Sequence, residues 1–179
     1  IGPRREMGVR TIFNILGPIT NPAGAKRQIV GVFADKLTEP LSMVLGNLGT
    51  EDAMVVHGED GLDEITVTDG TKVSRFRAGR VDNSIISPED FGLRRAEITE
   101  IAGADRETNA EITLSILRGE RGAKRDIVLM NSAAALVVAG KTEDLRKAFS
   151  IAEEAIDSKR ALKKLDEINS IATKITSLE

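Results

Sequence analysis

The sequence predicts an α/β fold with a helical C-terminal half, and three observations carry that expectation. Two short β-branched apolar runs, "RQIVGVF" (27–33) and "DAMVVHG" (52–58), have the length and composition of buried strands. Between them Leu37, Leu41, Val44, Leu45 and Leu48 recur at i, i+4, i+7, i+8 and i+11, one apolar stripe along a helix. Strand, helix and strand joined by short links suggest a parallel βαβ unit. From about residue 105 onward the apolar spacing is helical throughout.

Taken in order, "REMGVRTIFNIL" (5–16) places Met7, Ile12, Ile15 and Leu16 on a broad helical face, and "GPITNPAG" stops it. After the βαβ unit, "EITVTDGTKVSRFR" (64–77) alternates around Asp69-Gly70, which signals a β-hairpin. "SPEDFG" (87–92) has the Ser-Pro-acid order of a helix start. "NAEITLSILRG" is expected to end at Gly119, and "RDIVLMNSAAALVVAG" at Gly140. "TEDLRKAFSIAEEAIDS" begins with Thr142 as its expected N-cap. The last helix, "SKRALKKLDEINSIATKI", lines up Leu162, Leu165, Ile168, Ile171 and Ile175 on one stripe. No internal repeat, low-complexity tract or linker interrupts the chain, so the expectation is one compact unit.

Composition narrows the function classes. The 179 residues are 41% hydrophobic and 30% charged, as in an ordinary globular domain. A formal net charge of −3 opposes non-specific binding to nucleic acid or to anionic lipid, which needs a basic surplus. Cysteine is absent, which removes disulfide and thiolate chemistry, and one histidine nearly excludes a conventional zinc site. No run reaches membrane-spanning length and no segment looks like a signal, so a cytoplasmic protein is expected. Aromatics at 3%, with no Trp or Tyr, leave no platform for stacking bases. The opening "IGPRREMGVRTIF" lacks an initiator Met and starts directly in dense sequence. It reads as an engineered or proteolysed piece of a longer protein.

Two stretches carry chemistry. "HGEDGLDE" (57–64) packs four acidic side chains into eight residues after an apolar strand and holds the only histidine. Like charges this close need open solvent or a cation. In doubly wound folds ligands sit beyond the carboxyl ends of parallel strands, where Asp63 and Glu64 are expected to fall. Magnesium needs only one or two carboxylates when substrate phosphates complete its shell. Gly58 and Gly61 would let such a loop turn tightly. A solvated turn is the other reading of the same residues. His57, at a strand end, reads as a group satisfying backbone more readily than as a general base. "ILGPITNPAG" (15–24) has two prolines and two glycines in ten residues, which make a rigid loop. It is either a structural break or a shaped wall against a flat ligand. Upstream, Arg4, Arg5 and Arg10 offer guanidinium forks for a carboxylate, or are ordinary surface charge.

Together "RREMGVRTIFNILGPITNPA" and "VVHGEDGLDEIT" resemble the anthranilate phosphoribosyltransferase family, enzymes of tryptophan biosynthesis, and the likeness runs through "RDIVLMNSAAALVVAG" into the helical tail. The resemblance implies transfer of a phosphoribosyl group from phosphoribosyl pyrophosphate to the amine of anthranilate, with release of pyrophosphate. It implies that Asp63 and Glu64 are the acidic pair that helps hold Mg2+ on the diphosphate. Arg4 matches the family's anthranilate-binding arginine, and Gly17 and Pro18 match residues lining the anthranilate path. His57 occupies a motif position with no catalytic step assigned. The implied architecture is a mostly parallel central sheet flanked by helices, the large domain of the phosphoribosyltransferase and nucleoside phosphorylase type, in a cytoplasmic homodimer.

The departures matter too. The family's glycine-rich diphosphate loop and its Lys-His-Gly-Asn segment occur nowhere in these residues. Residues 1–179 are therefore expected to be a partial α/β domain, the C-terminal portion of the enzyme, without the upstream helical domain and inactive alone. The spacing of "IGPRREMG" is one residue shorter than the family's, which leaves Arg4 and Arg5 as alternatives for the ligand-facing arginine. Rival readings are a pyrimidine nucleoside phosphorylase-like enzyme, which would not need the "GPITNPA" wall, and a non-catalytic relative that binds nucleic acid, which the negative charge opposes.

Overall fold

A computed structural model describes Gly17 and residues 19–176, without the side chains of 174–176. Strand β1 (Arg27–Gly31) leads through a 3-10 turn (Asp35–Leu37) into helix α1 (Thr38–Asn47) and strand β2 (Asp52–Gly58). Strands β3 (Thr71–Arg77) and β4 (Arg80–Ile86) follow, then a 3-10 turn (Pro88–Phe91) and the short helix α2 (Ile98–Ile101). Helices α3 (Arg106–Leu117), α4 (Ala123–Val138), α5 (Leu145–Asp157) and α6 (Arg160–Thr176) complete the described chain.

The α/β class and the βαβ unit hold, and the sheet differs from expectation in its pairing. Its order is β1-β2-β3-β4. Arg27 pairs with Asp52 through to Gly31 with Val56 in parallel, whereas β2 with β3 and β3 with β4 are antiparallel. The described sheet is therefore mixed rather than mostly parallel. Parallel pairing needs a crossover, and α1 supplies it only between β1 and β2. The later strands return by loop and turn.

β2 is buried on both faces, as its continuous apolar run requires. Alternation sends Ala53 and Val55 towards Leu41 and Leu45 of α1, joined by Val30 and Val32. Met54 and Val56 point the other way, into a cluster with Leu129, Met130, Ala133, Ala134 and Val137 of α4 and with Phe149 and Ile156 of α5. Fully burying a Val, Leu, Ile, Phe or Met side chain stabilises by roughly 1.5–3 kcal/mol. At the start of β2 the buried Asp52 takes two hydrogen bonds from Arg75 of β3, at 2.9 and 2.7 Å, which fixes the register of that pair.

The expected hairpin around Asp69-Gly70 is not formed. The tight turn is Ala78-Gly79, between β3 and β4, with φ of 51° and 81°. Two positive φ values are what a type I′ hairpin turn requires. Residues 59–70 instead form a compact loop whose neck is closed by the pair Gly58–Thr71 and by the Glu59 N–H donating to Gly70 O at 2.8 Å. Ile65 and Val67 are fully buried, but so is Thr66 between them, and none of the three belongs to a strand. Val67 O accepts from the Ala96 N–H at 3.0 Å.

The helix boundaries agree closely with the sequence. Ser87 and Asp90 form a capping box around Pro88. Gly119 and Gly140 follow α3 and α4 with φ of 94° and 73°. At α5 the cap is Asp144, not Thr142: Asp144 accepts from the Lys147 N–H at 2.9 Å, and Thr142 Oγ1 accepts from the Asp144 N–H just before it. A carboxylate outcompetes a hydroxyl for a helix N-terminus because the bond is charge-assisted. On α6 Leu162 and Leu165 are half-buried while Ile168 and Ile171 are exposed, so among the described side chains of that stripe only the first two pack. The expected helix over 5–16 lies outside the described residues. Among the described residues no helix is long and apolar enough to cross a membrane.

Candidate functional site

The loop after β2 is folded tightly by its own backbone. The Gly58 N–H donates to Leu62 O at 2.8 Å, and the Gly61 N–H donates to Gly58 O at 2.9 Å. Gly61 has a φ of 95°, which a side chain would resist. Asp60 belongs to this scaffold. Its carboxylate accepts from the Leu62 N–H at 3.1 Å, from Thr66 Oγ1 at 2.6 Å, and from Thr68 Oγ1. Burial alone would raise its pKa, but these hydrogen bonds outweigh that and hold it below the ordinary aspartate value.

Asp63 and Glu64 are left over. Among the described residues, no Lys or Arg forms an ion pair with either. Both are exposed as whole residues, yet the Glu64 carboxylate is partly desolvated. That desolvation first, and then the charges of Asp63 and Asp60, raise its pKa above the ordinary glutamate value. This is local negative charge with no cationic partner among the described residues.

The pair is placed by two contacts with distant parts of the chain. At the carboxyl end of β1, a Cβ built on Gly31 would lie 1.6 Å from the carbonyl oxygen of Asp63, so the loop crosses the strand where only glycine leaves room. On the other side Asn131 of α4 holds Ile65. Its Oδ1 accepts from the Ile65 N–H at 3.0 Å, and its Nδ2 donates to Ile65 O at 2.7 Å. The carboxylates therefore stand at the carboxyl edge of the parallel strands.

His57 keeps a structural part. Its Nδ1 lies 2.7 Å from Val32 O, and because a carbonyl only accepts, that nitrogen carries the proton and ties the ends of β2 and β1 together. Gly17 is exposed with open space around it. Arg4 and Pro18 lie outside the described residues, as do Arg5 and Arg10. Sequence reasoning missed Gly31 and Asn131. An isolated glycine inside a strand run signals close backbone approach, and an asparagine within an apolar helix signals a buried polar partner.

The donors suit a hard cation only in part. Among the described residues no cluster of three or more His, Cys, Asp or Glu could enclose a metal. Two carboxylates without a counter-ion match magnesium's habit of binding through one or two protein oxygens, with water and substrate phosphates supplying the rest.

A mixed sheet flanked by helices, with an acidic loop at the carboxyl edge of its parallel pair, defines an α/β domain. The chain belongs to the glycosyl transferase family, a/b domain, whose family profile matches residues 1–162. Within that family it is similar to anthranilate phosphoribosyltransferases. It is 52% identical over 166 residues to the one from Syntrophotalea carbinolica, covering 93% of this chain and 47% of that protein. The crystal structure of anthranilate phosphoribosyltransferase from Thermus thermophilus superposes with a TM-score of 0.82 at 36% identity, over 92% of this chain and 48% of that one. The Saccharomyces cerevisiae enzyme in complex with PRPP and Mg gives a TM-score of 0.83 at 28% identity, over 95% of this chain and 50% of that one. The chain spans about half the length of the curated relatives it matches.

Proposed function

We propose that this chain forms the diphosphate-handling part of an enzyme that transfers the phosphoribosyl group of phosphoribosyl pyrophosphate to anthranilate and releases pyrophosphate. The observation that carries the reading is the Asp63–Glu64 pair at the carboxyl edge of β1 and β2, with no cationic partner among the described residues, in a chain whose relatives carry that activity in their names. Asp63 and Glu64 would hold Mg2+, which would neutralise the diphosphate as it departs. Arg4 would bind the anthranilate carboxylate, and Gly17 and Pro18 would line its path. The nucleophile is a neutral aromatic amine, so no strong protein base is needed and positioning supplies much of the rest. That fits the absence of cysteine and the structural use of the single histidine. The glycine-rich loop and helical domain implied by the family would be supplied by the rest of a longer, cytoplasmic, homodimeric enzyme.

The complete enzyme should consume anthranilate fluorescence when phosphoribosyl pyrophosphate and Mg2+ are present. Asp63→Asn combined with Glu64→Gln should lower kcat/KM on the order of 100-fold, the scale for losing a preorganised electrostatic group, and raise the Mg2+ demand. An unchanged magnesium profile would count against the acidic pair. Robust thymidine phosphorolysis without anthranilate consumption would count against the whole reading.

A further inference from the structure

Asn131 replaces a missing strand. Its amide meets both backbone groups of Ile65, accepting from the N–H at 3.0 Å and donating to the carbonyl at 2.7 Å, which is the reciprocal pattern of a β-ladder neighbour. Ile65 is fully buried, so its peptide groups have no water to turn to, and losing either bond leaves an unsatisfied group. The same Nδ2 donates to Ile127 O at 2.9 Å, one helical turn back, which fixes the amide's own rotamer. It also lies 3.5 Å from Glu64 Oε2. An amide nitrogen has two hydrogens, and the two shorter bonds use both, so the approach to Glu64 is a weak charge–dipole contact.

We propose that Asn131 is a positioning residue for the acidic pair. It pins the peptide that follows Glu64, while the close crossing at Gly31 pins Asp63, so the two carboxylates hang between fixed points on α4 and β1. The proposal rests on the reading of Asp63 and Glu64 as metal-holding groups, and it adds a residue of α4, far along the chain, to the set that decides metal affinity. Partners that orient metal ligands without touching the metal typically control affinity by about 10–100-fold.

The test is a double-mutant cycle in the complete enzyme, with Mn2+ as the probe. Free Mn2+ is followed by electron paramagnetic resonance in the presence of inorganic pyrophosphate. Asn131→Ala should weaken Mn2+ binding about 10-fold, and raise the Mg2+ concentration for half-maximal rate while leaving kcat at saturating metal nearly unchanged. In a Glu64→Gln background the same substitution should add no further loss. Met130→Ala, a neighbouring core lesion, should lower thermal stability and keep wild-type Mn2+ affinity. Wild-type affinity in folded Asn131→Ala overturns the proposal, as does a loss that multiplies with Glu64→Gln or is matched by Met130→Ala. Should Asn131→Ala fail to fold, Asn131→Ser, which can still satisfy one Ile65 peptide group, is judged by the same criteria. Unchanged affinity in Glu64→Gln alone would instead remove the metal assignment on which the proposal stands. Normal Asn131→Ala binding beside a weakened Glu64→Gln removes only the proposal itself.

Discussion

A methyl group on Gly31 would lie 1.6 Å from the Asp63 carbonyl oxygen, so Gly31→Ala must move either β1 or the acidic loop. β1 is held in a parallel ladder to β2, whereas residue 63 belongs to no strand, so the loop yields. Overpacking of this kind costs about 1–3 kcal/mol. Urea denaturation of Gly31→Ala should show that loss, and the same variant should bind Mn2+ more weakly than wild type. A variant with normal stability and normal metal binding would mean that the crossing is not a constraint. Residue-scale chemistry was partly legible. The acidic pair is visible because its members are adjacent, whereas its two supports lie on distant stretches and no local pattern connects them.

The loop of residues 59–70 shows how an element takes its form from side chains. Asp60 accepts hydroxyl bonds from Thr66 and Thr68, so these alternating threonines fold back on a carboxylate rather than facing solvent from a strand. A lowered folded-state pKa means that ionised Asp60 adds stability above the ordinary aspartate value of 3.8, and that this stability is lost as pH falls through the lower folded value. Thr68→Val removes one of the bonds. Its destabilisation should be fully present at neutral pH and should shrink as pH drops below the ordinary aspartate range. Thermal melts from pH 7 to pH 3 would show this, and a destabilisation independent of pH would remove Asp60 from the account. The hairpin expectation failed here for the same reason. Period-2 alternation of residue type need not mean a strand: Ile65 and Val67 join the core, and Thr66 between them is buried against the Asp60 carboxylate.

At the scale of the whole molecule, α4 joins the core to the site. Leu129 and Met130 are buried in the cluster that receives Met54 and Val56, and the next residue along is Asn131. Stability and site geometry therefore share one helix. Leu129→Ala should cost about 2–5 kcal/mol in equilibrium denaturation. Because it leaves the Asn131 amide intact, metal affinity in the folded fraction should stay at wild type. Loss of affinity in fully folded Leu129→Ala would show that the helix transmits core strain to the acidic loop.

The sequence by itself determined the α/β class, the positions of β1, α1 and β2, and the ends of α3 and α4. Each of these follows from local patterns, namely apolar periodicity and the conformational freedom of glycine at helix ends. It also singled out Asp63 and Glu64. The tertiary structure decided that β3 returns antiparallel to β2, that Asp60 is consumed by two threonines while Asp63 and Glu64 gain no cationic partner among the described residues, and that Gly31 and Asn131 hold the loop. Those outcomes depend on which distant groups can be buried together with their hydrogen bonds satisfied, and that choice is made only when the chain packs.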